Sequence, residues 1–369
     1  MPTANSVSAR ITHSAASTVM AEARASDLAT PVEGRSRHAG PAADSSVSAA
    51  KKASRETRIA LESPLLHIEI VPELGGGIAC FDWRDGPARV PILRRCADPD
   101  GATDPNQLAC YPLLPFSNRV GGGAFQIDGR RVAVPRNRED ESLPIHGDGW
   151  LSRWQVASRS TDHRQLRLTL DRSAGAPYAY RAAQTFRLDG PTLTIAIEIE
   201  NTGGATLPFG LGLHPFIERE IDTLLAAPAG GLWLSGADWL STEHVRTPPA
   251  WQFGVAYPLP EGLVNHAFTD WAGWMTACWP ERQLRLTIQA DTACFVLYTP
   301  PSCDWFCFEP VDHPINAMNL AGGGAAHGMT LLAPGATLTR TFSLSVERTG
   351  ERARPIGRQT FFSTTDDIQ

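Results

Sequence analysis

Hydrophobic and polar residues alternate along almost every periodic segment of this chain between Leu65 and Val346. A period of two places successive side chains on opposite faces of a β-strand. The clearest example runs from Phe186 to Asn201, where the apolar positions are Leu193, Ile195, Ile197 and Ile199. The segment AFQIDGRRVAV contains Asp128-Gly129, a pair that supplies the positive φ angles of a tight hairpin turn. The sequence therefore predicts strands joined by short turns.

No segment has a helical stripe of three or more turns, and neither an internal repeat nor a strand–helix alternation is present. The 32 glycines and 29 prolines fit a chain that turns often. Many short strands without crossover helices are typical of an all-β sandwich. We predict an all-β fold, a large antiparallel β-sandwich, in which polar or small positions of several strands line one concave face.

The two ends of the chain differ from its middle. Residues 1–56 consist largely of Ala, Ser, Thr and charged residues, and they lack the apolar stretch of a secretory signal. We expect a disordered N-terminal extension over residues 1–56, one folded domain over 57–347 and a polar C-terminal tail over 348–369. Met20 is a candidate for an alternative start.

Composition limits the partners and the location of the protein. A length of 369 residues with 20% charged residues and a net charge of −6 indicates an ordinary globular protein and argues against a nucleic-acid partner. No apolar run approaches the roughly 18 residues that would suggest a membrane span. The seven cysteines form no CxxC pair and no Cys/His ligand spacing. We expect reduced thiols, no metal site and a cytoplasmic location.

The stretch LPFGLGLHPF, from Leu207 to Phe216, contains the first candidate for a functional side chain. Read as one strand, it places Gly210, Gly212 and His214 on one face, and glycine within a strand often marks a close approach. Proline has no N–H, so the residue after the histidine should end the strand. A histidine held in this way can act as an acid or a base. The alternative is a satisfied histidine at a strand end.

A second strand, CDWFCFEP, ends in the same manner. Phe306 and Phe308 point to one side, whereas Glu309 points to the other and is followed directly by Pro310. A carboxyl group at the inner end of an aromatic strand should be partly desolvated, which raises its pKa toward the range of a general base. The alternative is a surface glutamate at a strand exit.

Two glycine-rich loops add further candidates. YPLLPFSNRVGGG sends Asn118 and Arg119 out of an apolar strand, and SLPIHGDGW places His146 between a proline and two glycines. The arginine is either a fork-shaped donor to a polar ligand or a charge at a hairpin edge. The glycines lack the spacing of a phosphate loop and the helix that follows one, so we interpret them as turns.

Taken together and in this order, these pieces resemble the aldose 1-epimerase (galactose mutarotase) family, in particular its broad bacterial branch. The matching stretches are PLLPFSNRVGGGAFQIDGR, LPIHGDGW, GLGLHPF, PPAW, NHAFTDWAG and YTPPSCDWFCFEPVDHPINAMN. The resemblance implies a galactose mutarotase-like supersandwich with an open concave sugar cleft, without a metal or a cofactor. It also implies that His214 is the catalytic acid and Glu309 the catalytic base.

The resemblance further implies that Arg119 and His146 contact the sugar, and we expect Asn118 and Asn265 to bind it as well. The chain departs from the family at Asn265, which stands where an aspartate is usual, and this puts the identity of the sugar in doubt. Aromatic faces from Trp305, Trp251 or Trp271 could stack on the ring. We expect the acid and the base to lie roughly 5 to 8 Å apart across one cleft, within hydrogen-bond reach of one pyranose.

The resulting expectation is an isomerase that interconverts the α and β anomers of a free aldose. Its partner would be the sugar alone, and the protein would be a monomer or a weak homodimer. A rival hypothesis is a hexose-6-phosphate 1-epimerase, which needs cations near C6 of the sugar; Arg153, Arg136 and Arg138 are available but form no obvious cluster. Two non-enzymatic hypotheses are a sugar-binding or sensor protein on the same fold, and an unrelated β-sandwich interaction domain.

Overall fold

The computed structural model describes residues 58–99 and 101–350. The predicted disorder of residues 1–56 and the predicted tail beyond residue 350 lie outside the described residues. The described chain consists mainly of antiparallel strands, and its one α-helix, α1 (Gly323–Ala326), is a single turn. No helix in this part of the chain is long and apolar enough to cross a membrane. The all-β prediction is confirmed.

The described residues form twenty-four strands. The first twelve are β1 (Ile59–Glu62), β2 (Leu66–Val71), β3 (Gly77–Asp85), β4 (Ala88–Pro91), β5 (Cys110–Leu113), β6 (Ala124–Ile127), β7 (Arg130–Ala133), β8 (Gln155–Arg159), β9 (Gln165–Arg172), β10 (Tyr180–Asp189), β11 (Thr192–Asn201) and β12 (Leu207–Phe209). The others are β13 (Gly212–Glu218), β14 (Leu224–Ala227), β15 (Ala229–Ser235), β16 (Ser241–Arg246), β17 (Phe253–Pro258), β18 (Val264–Trp271), β19 (Trp274–Trp279), β20 (Leu284–Ala290), β21 (Cys294–Thr299), β22 (Trp305–Val311), β23 (Thr330–Leu332) and β24 (Thr337–Arg348).

Two large sheets make up the sandwich. The first has eleven strands in the order β1-β2-β3-β5-β13-β22-β21-β18-β15-β16, with β4 paired to β3. The second has nine strands in the order β17-β14-β19-β20-β24-β11-β10-β9-β8. The pairs β12-β23 and β6-β7 form two small sheets. Strands β13 and β22, which carry the two catalytic candidates, are therefore neighbours in the middle of the larger sheet.

Apolar residues of both large sheets form one continuous core. The alternating positions of β11 predicted to be buried, Ile195 and Ile197 among them, have no exposed surface. From the larger sheet, the rings of Phe295 and Phe308 stack with their centroids 4.3 Å apart, and Trp271 packs edge-on against both. One face of the larger sheet is thus committed to the core, which leaves its opposite face available for a ligand.

The stretch Leu207 to Phe216 is not one strand, as the sequence had suggested. It divides into β12, which pairs with β23, and β13, which belongs to the larger sheet. A side chain at Gly210 would place its Cβ 2.3 Å from the ring of His313, and one at Gly212 would come within 2.9 Å of a backbone oxygen. The glycines therefore do allow a close approach, but the group that approaches is the protein itself.

Candidate active site

His214 and Glu309 lie opposite each other on two adjacent strands. The pairing of β13 with β22 has the same register before and after a gap, with Gly212 opposite Val311 and Phe216 opposite Cys307. That register places the histidine directly across from the glutamate. Their side chains approach to 3.4 Å between Nε2 and Oε1. The expected separation of roughly 5 to 8 Å was wrong, because the sequence did not reveal that the two strands are neighbours.

Two prolines flank this pair. Pro215 and Pro310 do not end their strands, contrary to expectation, since β13 continues to Glu218 and β22 to Val311. Each proline instead falls in the stretch where the pairing of β13 with β22 is interrupted. Because proline has no N–H to donate, it fits a position where the ladder is already open. The open stretch carries the two ionisable side chains.

Burial controls the charge of both groups. His214 is 7% exposed and Glu309 is 3% exposed. Burial raises the pKa of Glu309 to about 8, an effect that the nearby Arg119 opposes. Burial lowers the pKa of His214 to about 3. Although the two groups lie within the distance of an ion pair, their contact near neutral pH is therefore one between a neutral carboxyl and a neutral imidazole.

Each member of the pair keeps one polar atom without a partner. Nδ1 of His214 and Oε2 of Glu309 are buried and have no hydrogen-bond partner among the described residues. Two aromatic rings pack against the imidazole, with the centroid of Tyr111 at 4.6 Å and that of Phe216 at 4.7 Å. Unsatisfied buried polar atoms are costly, so they commonly mark a functional site.

Two hydrogen bonds join His146 and Asn118. Both adopt a positive φ, 61° and 55° respectively. The Asn118 N–H donates to Nδ1 of His146 over 3.0 Å, and the His146 N–H donates to the Asn118 carbonyl over 2.9 Å. Since Nδ1 accepts, a neutral imidazole carries its proton on Nε2. Burial lowers the pKa of His146 well below its ordinary value, with smaller effects from His214 and Arg119.

Arg119 is held by a carboxylate that sequence reasoning had not identified. Its Nε and Nη2 donate to Glu141 in a two-pronged ion pair, at 3.2 Å and 2.8 Å. Its backbone N–H donates to the side-chain oxygen of Asn118 over 3.0 Å. Asn118 therefore helps to place the arginine as well as the histidine. Glu141 immediately precedes the SLPIHGDGW motif, but nothing in its local sequence indicates this pairing.

Asn265 lies on β18 opposite Tyr298 of β21, and both residues line the cavity. The neighbouring His266 belongs to the other side of the strand, where its ring packs 5.0 Å from Trp251. Of the three tryptophans proposed to stack on a sugar, only Trp305 lines the cavity. Trp271 belongs to the core, and Trp251 packs against it.

All six candidate residues thus line one open cavity of about 480 Å³. Its wall also contains polar and aromatic residues that were not predicted, among them Arg94, Asn106, Tyr111, Trp150, Trp239 and Tyr298. Tyr111 opens the YPLLPFSNRVGGG motif and could have been recognised from that position. Trp150 and Tyr298 likewise lie in the quoted stretches LPIHGDGW and YTPPSCDWFCFEPVDHPINAMN, whereas Arg94, Asn106 and Trp239 carry no local signal.

A possible metal cluster lies elsewhere. His67, Glu69 and Cys80 place one ligand atom each within 4.8 Å of one another, a grouping that the spacing along the chain did not reveal. Glu69 is already paired with Arg58 at 2.8 Å. The imidazole contacts Glu62 through Nδ1 at 2.8 Å, and burial raises the pKa of the Cys80 thiol to about 12. A paired carboxylate and a protonated thiol are poor ligands, so we assign no metal to this cluster.

Comparison with known families agrees with this geometry. The model of the family described as Aldose 1-epimerase matches residues 58–345. The chain belongs to the aldose 1-epimerase family. The match extends from the first strand of the larger sheet to the last strand of the smaller one, so the family resemblance covers the whole sandwich.

Individual relatives support the same assignment. The chain is 35% identical over 287 residues to the uncharacterized protein YphB of Escherichia coli K12, covering 75% of this chain and 94% of that protein. A crystal structure from the same organism, provisionally described as an aldose 1-epimerase, superimposes with a TM-score of 0.72 at 32% identity, covering 79% of this chain and 99% of that one. A galactose mutarotase-like protein of Clostridium acetobutylicum gives a TM-score of 0.68 at 17% identity, covering 79% and 95%. The predicted family and fold are confirmed.

Proposed function

We propose that this protein is an aldose 1-epimerase that interconverts the α and β anomers of an aldose by opening and reclosing the sugar ring. The observation that carries the proposal is the buried pair of His214 and Glu309, in contact at 3.4 Å within the cavity. Environments that shift the pKa values of two neighbouring ionisable groups strongly and in opposite directions are typical of paired acid–base catalysts. Membership of the family supports an epimerase.

The reaction needs two proton transfers in each direction. Glu309, as a carboxylate, removes the proton of the anomeric hydroxyl while His214, as an imidazolium, protonates the ring oxygen. The bond between C1 and the ring oxygen breaks and leaves a free aldehyde. Rotation about the C1–C2 bond presents the other carbonyl face. Reclosure reverses both transfers and gives the other anomer.

The proton count of the pair fits this scheme. The neutral pair and the imidazolium–carboxylate pair hold the same number of protons and differ only in which group has one of them. Transfer of one proton from Glu309 to His214 therefore produces the reactive form. Arg119 favours that form because its charge lowers the pKa of the glutamate. Ring opening and closure can then proceed without a proton from solvent.

The other candidates would bind and orient the sugar. His146, with its proton on Nε2, can donate to an oxygen that becomes negative as the ring opens. Arg119 can bind the sugar through the guanidinium N–H groups that do not contact Glu141, and Asn265 can bind it through its side-chain amide. Trp305 supplies an aromatic face. A protein that only binds or senses sugars has no use for a buried acid–base pair, which favours catalysis over a purely binding role.

Polarimetry tests the proposal directly. Freshly dissolved α-glucose and α-galactose should reach their equilibrium rotation faster in the presence of the purified protein. Glu309→Gln should remove this acceleration, whereas Glu139→Gln, which changes an exposed glutamate, should not. A folded protein that binds sugars without accelerating any anomer exchange would instead be a sugar-binding protein.

A further inference from the structure

Arg94 differs from the other arginines of the active-site cavity. Arg119 is paired with Glu141 at 2.8 Å. Arg138 is paired with Asp104 at 2.9 Å and with Asp140 at 2.6 Å. Within residues 58–99 and 101–350, Arg94 has no carboxylate at ion-pair distance. It therefore contributes to the wall of the cavity a positive charge that no ion-paired carboxylate of the described chain neutralises.

The chain holds this guanidinium firmly. Nη2 donates to the backbone carbonyls of Asn106 and Leu108, the latter over 2.8 Å. The backbone N–H of Arg94 donates to the Phe216 carbonyl over 2.8 Å. The guanidinium carbon lies 3.7 Å above the ring of Phe216 and 5.0 Å from that of Trp305. Nε and Nη1 have no acceptor in the described part of the chain, so these donors remain for a ligand.

This arrangement suits an oxyanion. A planar guanidinium with two free N–H directions matches a carboxylate or a phosphate, and such charge-assisted bonds are about twice as strong as neutral ones. Stacking on aromatic rings fixes the orientation of the guanidinium before a ligand binds. Burial also lowers the pKa of Arg94, which shows that its charge is poorly solvated in the cavity wall. An incoming anion would relieve that cost.

The position of Arg94 relates it to one end of the sugar. The ring of Phe216 contacts both Arg94 and His214: the guanidinium carbon lies 3.7 Å from its centroid and the centroid of the imidazole lies 4.7 Å from it. In the proposed reaction His214 protonates the ring oxygen, which is bonded to C5, the carbon that carries C6. Arg94 and the proposed acid thus contact the same aromatic ring, which keeps the guanidinium within the distance of the reacting end that a substituent at C6 can reach.

We propose that the cavity takes an aldose with an anionic oxygen group at C6, a hexuronate or a hexose 6-phosphate, and that Arg94 is the residue that selects it. This inference rests on the proposed epimerase function. The arginines that the sequence suggested as binding residues for such a substrate are not suitably placed or charged to bind it. Arg153 pairs with Glu73, Arg136 lines a separate cavity, and Arg138 is neutralised by two carboxylates.

An anionic substrate would also assist the chemistry. The positive charge of Arg94 contributes to the lowered pKa of His214, although burial is the larger cause. A carboxylate or phosphate bound to Arg94 would offset that charge and favour the imidazolium that donates to the ring oxygen. We therefore expect the anionic group to raise kcat as well as to lower KM.

The test compares glucose, glucuronate and glucose 6-phosphate, which differ only at C6. The native protein should show a kcat/KM for glucuronate or for glucose 6-phosphate at least tenfold higher than for glucose, and the better of the two identifies the anion. Arg94→Met should reduce that ratio by about 10- to 100-fold, the loss expected for a charge-assisted contact. Arg94→Lys, which keeps the charge without the fork, should give an intermediate ratio.

Arg153→Met is the matched control, because it removes the same charge from an arginine whose side chain is 70% exposed. It should leave the ratio unchanged. A native protein that turns over all three sugars equally would overturn the assignment without the need for any variant. So would an Arg94→Met protein that loses activity on all three to the same extent, since Arg94 would then only shape the wall. A native protein inactive on every sugar would refute the epimerase function itself.

Discussion

Nδ1 of His146 lies 3.0 Å from the backbone nitrogen of Asn118 and accepts its hydrogen bond. This contact assigns the remaining proton of the neutral ring to Nε2. The ring of His146 stands perpendicular to that of His214 with their centroids 5.2 Å apart. A donor is therefore held beside the proposed acid, and burial keeps it from becoming a second charge in the cavity.

Replacement of His146 by asparagine tests this role. Asparagine tolerates the positive φ of this position better than most residues, so the loop should be preserved. The loss of a positioned donor to a developing oxyanion typically reduces kcat by about 10²- to 10³-fold. Polarimetric rates on the best substrate measure the effect. His163→Asn is the control, because His163 is exposed and has a similar φ of 56°. Equal activity of both variants would show that His146 has no catalytic role.

The acid and the base should each be necessary. His214→Asn and Glu309→Gln remove one proton-transfer group, and each should reduce kcat by about 10²- to 10⁴-fold. The double variant should lose little more than either single one, because the two groups act as a unit. Far-ultraviolet circular dichroism and thermal unfolding would verify that the proteins are folded. A folded single variant with near-native turnover would contradict the assigned role.

Glu309 should also affect stability as a function of pH. Because its folded pKa of about 8 is above the ordinary value of 4.5, the folded protein keeps a proton that the unfolded chain releases between these values. The stabilisation from that proton is full below pH 4.5 and is lost as pH rises through 8. The Glu309→Gln variant has no carboxyl group to ionise at this position, so it should not lose this stabilisation as the pH rises. The free energy of unfolding of the variant, relative to that of the native protein, should therefore increase as the pH rises from 5 to 8. The increase should reach a few kcal/mol, at about 1.4 kcal/mol per pKa unit.

Urea unfolding of both proteins at several pH values measures this difference. Glu139→Gln provides the comparison, because that glutamate is exposed and its replacement should leave the native dependence on pH unchanged. A difference between native and Glu309→Gln proteins that stays constant from pH 5 to 8 would mean that the carboxyl is ionised throughout. The assignment of a neutral pair would then be incorrect.

Local sequence patterns predicted the strands well and their arrangement poorly. The turn at Asp128 and Gly129 has φ angles of 48° and 71°, as a tight hairpin requires. The alternation in β11 gave its buried face correctly. By contrast, the break after Phe209 occurs where Gly210 packs closely against His313, a residue about a hundred positions away. Contacts over that distance leave no periodic signal in the sequence.

The candidate site shows the same division. His214 and Glu309 were recognisable because each is a charged or polar residue within an aromatic strand before a proline. Their contact at 3.4 Å depends on the adjacency of β13 and β22, which neither strand encodes alone. Arg94 could not be identified from sequence at all, since what distinguishes it is the lack of a carboxylate partner in the folded, described chain.

Asn265 provides a test of how the sugar is held. Its side chain lines the cavity and makes no hydrogen bond to another described residue, so it is free to contact a ligand. A carboxylate in its place could accept charge-assisted bonds of roughly 1.5 to 3 kcal/mol, against about 0.5 to 1.5 kcal/mol for each bond of an amide. Asn265→Asp should therefore lower the KM for glucose or galactose by up to about tenfold. The kcat should change less, because the contact is made equally in ground and transition states.

The same substitution should have the opposite effect on an anionic sugar. A carboxylate at position 265 adds negative charge to a cavity in which Arg94 is proposed to hold an anion, so the KM for glucuronate or glucose 6-phosphate should rise. Salt weakens such repulsion, and the rise should shrink between low and high ionic strength. Steady-state kinetics on neutral and anionic sugars at two salt concentrations would measure both effects. Identical profiles for the native and Asn265→Asp proteins would mean that residue 265 does not contact the sugar, and the identity of the substrate would then have to depend on the opposite wall of the cavity.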